Sequence, residues 1–387
     1  MQRLEMERVW AVARFREGGN PSEICVALGK SRRWLYKWVE RAENGDERWF
    51  EERSRKPQSS PQKTSQVMEA LIVSARRELL REGMFSGAQS IIWELEERDL
   101  EAPSIATVNR VLKAHGLFEQ PEKRFSSKGR KYPTPGAVRP NDVHQNDFIG
   151  PRYVRGGTRF YSFNATDVVT SRSAAIPILN RSSESVVQAM WEVWHRLGLP
   201  RVFQIDNELV FWGSRRHPRG LGQVLRLCLQ EGVEPLFIPP AEPWRNGVIE
   251  KCNDHWQQKF LGRTEFRSFE DLASAARMFD TKRNARWRYS KTGGRSPNEA
   301  LQLTQATLKF PASLSPPTLP IAKPTTGRYH LIRFIRSDRM LDLFGERFLL
   351  PKATAYEYVT ATVDVGLQQL QVQLDGERVA THHYELR

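Results

Sequence analysis

A chain of 387 residues, 39% hydrophobic and 27% charged, exceeds a single typical core, and two to four domains of a soluble globular protein are expected. No apolar run approaches the ~18 residues of a membrane span, and the opening Met1-Gln2-Arg3-Leu4-Glu5 is not a signal peptide. The three cysteines, Cys25, Cys228 and Cys252, form no CxxC pair, so free buried thiols in a cytoplasmic protein are expected in place of a zinc site or disulfide framework.

The net charge of +14 divides into excesses of +6 over residues 1–140, +6 over 141–300 and +2 over 301–387. This spread suits a polyanion that touches several domains, with an inert basic surface as the alternative. Met6, Val9, Trp10 and Ala13 recur at helical spacing and predict one apolar stripe. Asn20-Pro21-Ser22-Glu23 reads as a helix start, with Ile24, Ala27 and Leu28 as the buried face and Gly29 as the turn. Ser31 caps the next helix, which buries Leu35, Trp38 and Val39. Helix, glycine turn, helix is a helix-turn-helix pattern over residues 1–50. Its second helix offers Lys30, Arg32, Arg33, Tyr36 and Lys37 to a major groove; an ordinary three-helix bundle with a solvated basic face is the alternative.

Residues 51–64 lack periodicity and read as a linker in which Arg53, Arg55 and Lys56 can follow a DNA backbone or minor groove. A second helical unit spans 65–118. Its helices are expected over Val67–Glu82, after Ser86 (Ala88, Ile91, Ile92, Leu95), and after Pro103-Ser104 (Ile105, Val108, Val111, Leu112). Its last helix would present Thr107, Asn109, Arg110 and Lys113. Residues 119–140 form a basic linker that includes Lys128, Arg130 and Lys131, a phosphate contact or a solvated tether.

From residue 141 to 305 the pattern changes to strands and alternating helices. Strands are expected at 144–152, 158–168, 172–178, 202–205 and 235–238, with helices at 184–197, 220–231, 247–261 and 268–288, giving a mixed α/β sheet. After a proline-rich linker at 306–327, five short alternating runs over 328–387 suggest a small β-barrel. Three carboxylates occupy distinct settings in the α/β region. Asp147 lies in the first strand. Asp206 ends the apolar run Val202-Phe203-Gln204-Ile205, at the strand end where sites gather in open α/β sheets. Glu250 falls in the first turns of a helix. Each alone reads as a surface charge or cap; together they suit a hard divalent cation, and three carboxylates can hold two ions.

The string His144-Gln145-Asn146-Asp147-Phe148-Ile149-Gly150, then Asp206-Asn207, then Pro239-Pro240 leading to Asn246-Gly247-Val248-Ile249-Glu250, resembles the DDE catalytic core of retroviral-integrase-type transposases. The tandem helix-turn-helix units and Arg53-Ser54-Arg55-Lys56-Pro57 resemble bacterial insertion-sequence transposases of that superfamily. The resemblance covers residues 5–300 and, more loosely, the terminal strands. It implies an RNase H-like core in which Asp147, Asp206 and Glu250 are the catalytic and metal-binding triad. It also implies two Mg²⁺ or Mn²⁺ ions per site, with Asn207 and Asn246 shaping the site. The implied reaction is cleavage at element ends followed by transfer of the 3′-hydroxyl into target DNA, carried out by a homo-multimer on double-stranded DNA.

The chain departs from the family pattern at Glu208, where glycine usually follows Asp-Asn, and at Gln257, where a basic residue is usual and for which Lys251 or Lys259 can substitute. The interval of 44 positions between Asp206 and Glu250 is longer than usual, which places a basic insert with Arg215 and Arg216 near Phe211–Gly222 as a DNA contact. Trp244 and Arg245, just before Asn246, are expected to touch a base or the DNA backbone, or to pack the loop. His144 and His255 are expected to be structural. A catalytically inactive transposase-derived DNA-binding regulator and a plain nuclease of the same fold are the alternatives.

Overall fold

The computed structural model describes residues 3–45, 47–53, 64–118 and 131–386, which divide into two compact units, 1–65 and 66–387. Arg55, Lys56, Lys128 and Arg130 lie outside the described residues.

The first unit holds α1 (Arg3–Arg16), α2 (Pro21–Leu28) and α3 (Arg32–Glu43). The Asn20 side chain caps α2, left-handed Gly29 ends it, and the Ser31 side chain caps α3, as their residue types predict. Leu35, Trp38 and Val39 are buried as expected, but α1 is rotated relative to its predicted stripe. Met6 and Trp10 are exposed, whereas Arg8, Ala11 and Val12 are buried. The Arg8 guanidinium lies 4.2 Å from the Trp38 ring centroid and donates to the Phe50 carbonyl oxygen at 2.7 Å. Arg8 therefore takes one of the buried places that the pattern assigned to apolar residues. In α2, Ile24 and Cys25 are buried and Ala27 is exposed.

The second unit begins with α4 (Gln66–Arg81), α5 (Ala88–Glu97) and α6 (Ile105–Ala114). Their facing residues Ile72, Leu79, Ile91, Leu95, Val108 and Val111 form one core. Ser86 is not the cap of α5; it is buried and bonded to Arg76, and Gly87 takes the cap position. Val67 and Ile105 are exposed. This core also contains Trp287 from the far end of the unit, and Phe85 packs 4.6 Å from both the Trp287 and His255 rings.

The central sheet begins with β1 (Val143–Tyr153), β2 (Arg159–Asp167) and β3 (Ser173–Ile178), all antiparallel neighbours. Helix α7 (Ser183–Leu197) leads to β4 (Val202–Ile205), which pairs parallel with β1. The short α8 (Leu209–Trp212) and α9 (Gln223–Gln230) lead to β5 (Glu234–Phe237), parallel to β4. Then come α10 (Gly247–Lys259), α11 (Phe269–Arg286) and α12 (Pro297–Thr304), the last unanticipated. Helices α7 and α9 share a core with Phe163, Phe203 and Phe237, while α10 and α11 share another with Ile149, Phe160 and Ala175. Because side chains alternate along a strand, these two cores lie on opposite faces of the sheet.

The C-terminal strands correct the expectation of a small barrel. They are β6 (Arg328–Phe334), β7 (Met340–Leu343), β8 (Glu346–Leu349), β9 (Tyr358–Asp364), β10 (Gln369–Leu374) and β11 (Glu377–His383). Strand β6 pairs parallel with β5, and β6, β9, β10 and β11 extend the same open sheet to nine strands, in the order β11-β10-β9-β6-β5-β4-β1-β2-β3. Only β7 and β8, of which β7 was not expected, form a separate hairpin. Tyr329 and Leu331 of β6, Val359 of β9 and Val372 of β10 join the core of α7 and α9. That apolar face, already open at β5, accounts for why the strands continue the sheet and do not close on themselves. No helix among the described residues is long and apolar enough to cross a membrane.

Candidate active site

Strands β1 and β4 run parallel with Gln145 opposite Gln204. Extending that register by two residues sets Asp147 opposite Asp206, on the same face and about one strand spacing (~4.8 Å) apart. On the other side of β1, Asn164 of β2 is the register partner of Asp147. Asn164, Asp147 and Asp206 thus form a row across three strands, on the face covered by α10.

The third acid, Glu250, is placed by a polar bracket. The Gln145 side-chain oxygen accepts the backbone N–H groups of Val248 (2.9 Å) and Ile249 (3.1 Å) in the first turn of α10. Asn246 donates to the Asn146 carbonyl at 2.9 Å, and Gln204 donates to the Arg245 carbonyl at 3.0 Å. Gln145 thereby satisfies two of the N–H groups that the start of α10 leaves open. Farther along α10, Asn253 donates to Asp147 Oδ2 at 2.8 Å and accepts from Asn164 at 2.8 Å. Asp147 and Glu250 line one open cleft with Asn253, Asp254 and Gln257. The sequence reading missed Gln145, Asn164, Gln204 and Asn253. For Gln145 and Gln204 the signal was present: polar residues at successive positions of β1, and one Gln inside the apolar run of β4.

Burial pushes the Asp147 carboxyl up to about 7, with the charges of Asp206, Glu208 and Glu250 adding to the rise and the Phe148 amide opposing it. Burial likewise raises Asp206, against its bond from the Glu208 amide, and raises Glu250, with help from Asp254. Glu208 is a fourth carboxylate here. Both its oxygens lie 2.7 Å from Arg181, whose guanidinium also sits over Phe148 and Tyr161. Among the described residues no group of three His, Cys, Asp or Glu side chains is gathered tightly enough to hold a metal ion. In kind, however, the donors fit a hard divalent cation: carboxylate oxygens, with Arg181 as the nearby counter-charge.

Asn207 is fixed from a distant strand. Its oxygen accepts from buried Arg333 of β6 at 2.7 Å and its nitrogen donates to the Ile238 carbonyl at 2.7 Å. His144 is buried and bonded to Asn141 at 2.9 Å, and His255 packs on Phe85 and Trp287, so both are structural.

The expected DNA contacts divide. On α3, Arg33 is exposed and has no side-chain partner among the described residues, and Tyr36 is exposed with its ring edge-on to Phe15. Lys37 lies 3.8 Å from Glu52, Arg32 bonds Ser22, and half-buried Lys30 lies 3.9 Å from Glu7. Arg53 is exposed. On α6, Arg110 and Lys113 are exposed and Thr107 is half-buried at the Ser104 cap. Lys131 pairs with Asp375 at 2.7 Å. Arg215, Arg216, Trp244 and Lys251 are exposed, and Lys259 is half-buried. Arg245 is engaged by protein: it donates to Glu242 at 2.9 Å and to the Tyr358 hydroxyl at 3.1 Å, and lies 3.9 Å from the Tyr132 ring centroid. Gln257 accepts from Arg152 at 2.7 Å.

Residues 8–70 match a family model described as winged helix-turn helix. Among solved structures, the chain is similar to the HTLV-2 integrase catalytic core domain in complex with magnesium, in its dimeric form (14% identity, TM-score 0.32) and its trimeric form (15%, 0.33). Each match covers 43% of this chain and 99% of the other. The catalytic core domain of BIV integrase is similar at 16% identity and TM-score 0.32, covering 43% of this chain and 96% of the other.

Proposed function

We propose that this protein is a DNA transposase of the integrase type, which cuts DNA at element ends and joins the 3′-hydroxyl to target DNA. The observation that supports the reading is the β1–β4 register, which extended by two residues brings Asp147 beside Asp206, together with Glu250 lining the same cleft as Asp147. Residues 1–50 and 65–118 would read DNA, 141–305 would be the RNase H-like catalytic domain, and a homo-multimer would hold two ends. Asp147, Asp206 and Glu250 would hold two Mg²⁺ or Mn²⁺ ions, which supply activation of the attacking hydroxyl and stabilisation of the leaving oxygen in an in-line displacement. Asn253 orients the Asp147 carboxylate, and the Gln145 bracket fixes where Glu250 enters.

The test is strand transfer with labelled element-end DNA, plasmid target and Mg²⁺ or Mn²⁺. Wild type should join strands, and Asp147→Asn, Asp206→Asn and Glu250→Gln should each lose at least about a hundredfold. Activity in all three variants would remove the triad. The Arg181–Glu208 pair beside Asp206 favours a second reading, a DNA-binding regulator without catalysis; end binding with no cutting in either metal would select it.

The raised Asp147 carboxyl gives a separate check on the metal-free protein. Its folded value of about 7 lies above the usual unfolded value near 3.9, so the folded state binds the extra proton between them. Stability from this group therefore falls as pH rises from about 4 to about 7. Asp147→Asn should raise the melting temperature at pH 8 and have less effect at pH 4.

A further inference from the structure

A groove begins at Asn207, the residue after Asp206, and runs between the insert that follows β4 and the C-terminal hairpin β7–β8. The two walls are fastened together. Trp212 stacks on Phe344 with centroids 4.4 Å apart and planes at 11°, and Arg219 donates to the Glu346 carboxylate at 2.9 Å. Besides buried Arg333, which is bonded to Asn207, three arginines from separate segments line it: Arg215 from the insert, Arg336 from the loop after β6, and Arg347 from β8. All three are exposed, and among the described residues none of their guanidinium groups has a hydrogen-bond or carboxylate partner.

The acids of the groove are differently placed. Glu242 is bound by Arg245 and Tyr358, Asp338 accepts the Met340 amide, and Asp342 accepts the Gly345 amide. Arg215, Arg336 and Arg347 are thus not paired with these acids, in a groove that begins one residue beyond Asp206. Guanidinium groups are suited to bidentate pairing with phosphate oxygens.

We infer that this groove holds the sugar-phosphate backbone of the DNA strand leaving the active site, with Arg215, Arg336 and Arg347 as its phosphate contacts. The insert and the hairpin would then act as one binding wall. The inference rests on the reading of Asp206 as part of a DNA-processing site.

The experiment measures binding of the full chain to a fluorescent duplex with a single-stranded 3′ extension, by anisotropy across a salt series. Each lost phosphate contact should flatten the dependence of log affinity on log salt by about 0.7–0.9. Arg215→Gln/Arg336→Gln/Arg347→Gln should therefore flatten it by about 2–3, with an unchanged melting temperature because the three side chains are exposed. The comparison protein, with exposed Arg155, Arg159 and Arg267 changed to Gln, should keep the wild-type slope. A groove variant with the wild-type slope, or a comparison protein that loses as much, overturns the inference. Asp206→Asn should keep the slope and lose strand transfer. If the groove variant loses slope while the wild type cuts nothing, the groove stands and the catalytic reading falls. If the wild type joins strands while the groove variant keeps its slope, the reverse holds.

Discussion

The two helical modules carry the same kind of sequence signature and meet different structural ends. Helices α1–α3 close around Leu35 and Trp38 as a compact unit of their own. Helices α4–α6 belong to the unit that holds the sheet. Trp287 completes their core, Arg263 donates to the Leu80 carbonyl at 2.6 Å, and Glu82 pairs with Lys282 and Arg286. Trp93 lies so close over Gly294 that a Cβ there would meet its indole nitrogen at 2.8 Å. A helix-turn-helix pattern thus specifies local geometry but not mechanical independence. What decides that is whether the module's core is filled from within or by a residue some 200 positions away.

The largest test of this contrast is a pair of tryptophans, both almost fully buried. Trp287→Ala should cost about 3–5 kcal/mol and lower hydrogen-exchange protection in 66–114 together with α10 and α11. Trp38→Ala should cost a similar amount but deprotect only residues 3–53. If Trp287→Ala leaves α4–α6 protected, the two modules are alike after all. A smaller effect is expected from the caps: Ser31→Ala removes the acceptor for the Trp34 amide and should cost about 1 kcal/mol, visible as fraying of the first turn of α3. The smallest belongs to Glu82→Gln. Its pairs with Lys282 and Arg286 are partly exposed, so the loss should stay under about 1 kcal/mol and shrink in high salt. A larger, salt-insensitive loss would make the ion pairs, not Trp287, the fastening of the second module.

The legibility of the molecule follows the same divide between local and distant causes. Caps at Asn20 and Ser31, the turn at Gly29 and the buried strand ending at Asp206 are set by neighbours in sequence and were readable there. The face of α1 was not, because the guanidinium of buried Arg8 lies over the Trp38 ring. For Arg245 the sequence left DNA contact and loop packing open, because its partners Tyr132 and Tyr358 lie on distant segments. The barrel was misread because the five runs have strand period but say nothing of which edge they join; that is set by the Leu236–His330 pairing. At the candidate site, the three acids were singled out by type and setting, and the row that brings Asp147 towards Asp206 follows only from extending the β1–β4 register. The side chains that hold the row in place are ordinary amides whose role depends on what they face.

The bond from Arg333 to Asn207 has a consequence for dissecting the chain. A fragment ending before β6 would strip β5 of its neighbour and expose a row of unpaired amides and carbonyls beside Leu236 and Phe237, a template for adhesion between copies. It would also leave the Asn207 oxygen without its guanidinium. The C-terminal strands are therefore a seal on the sheet as well as an addition to it, and a minimal fragment that carries the three acids has to retain them.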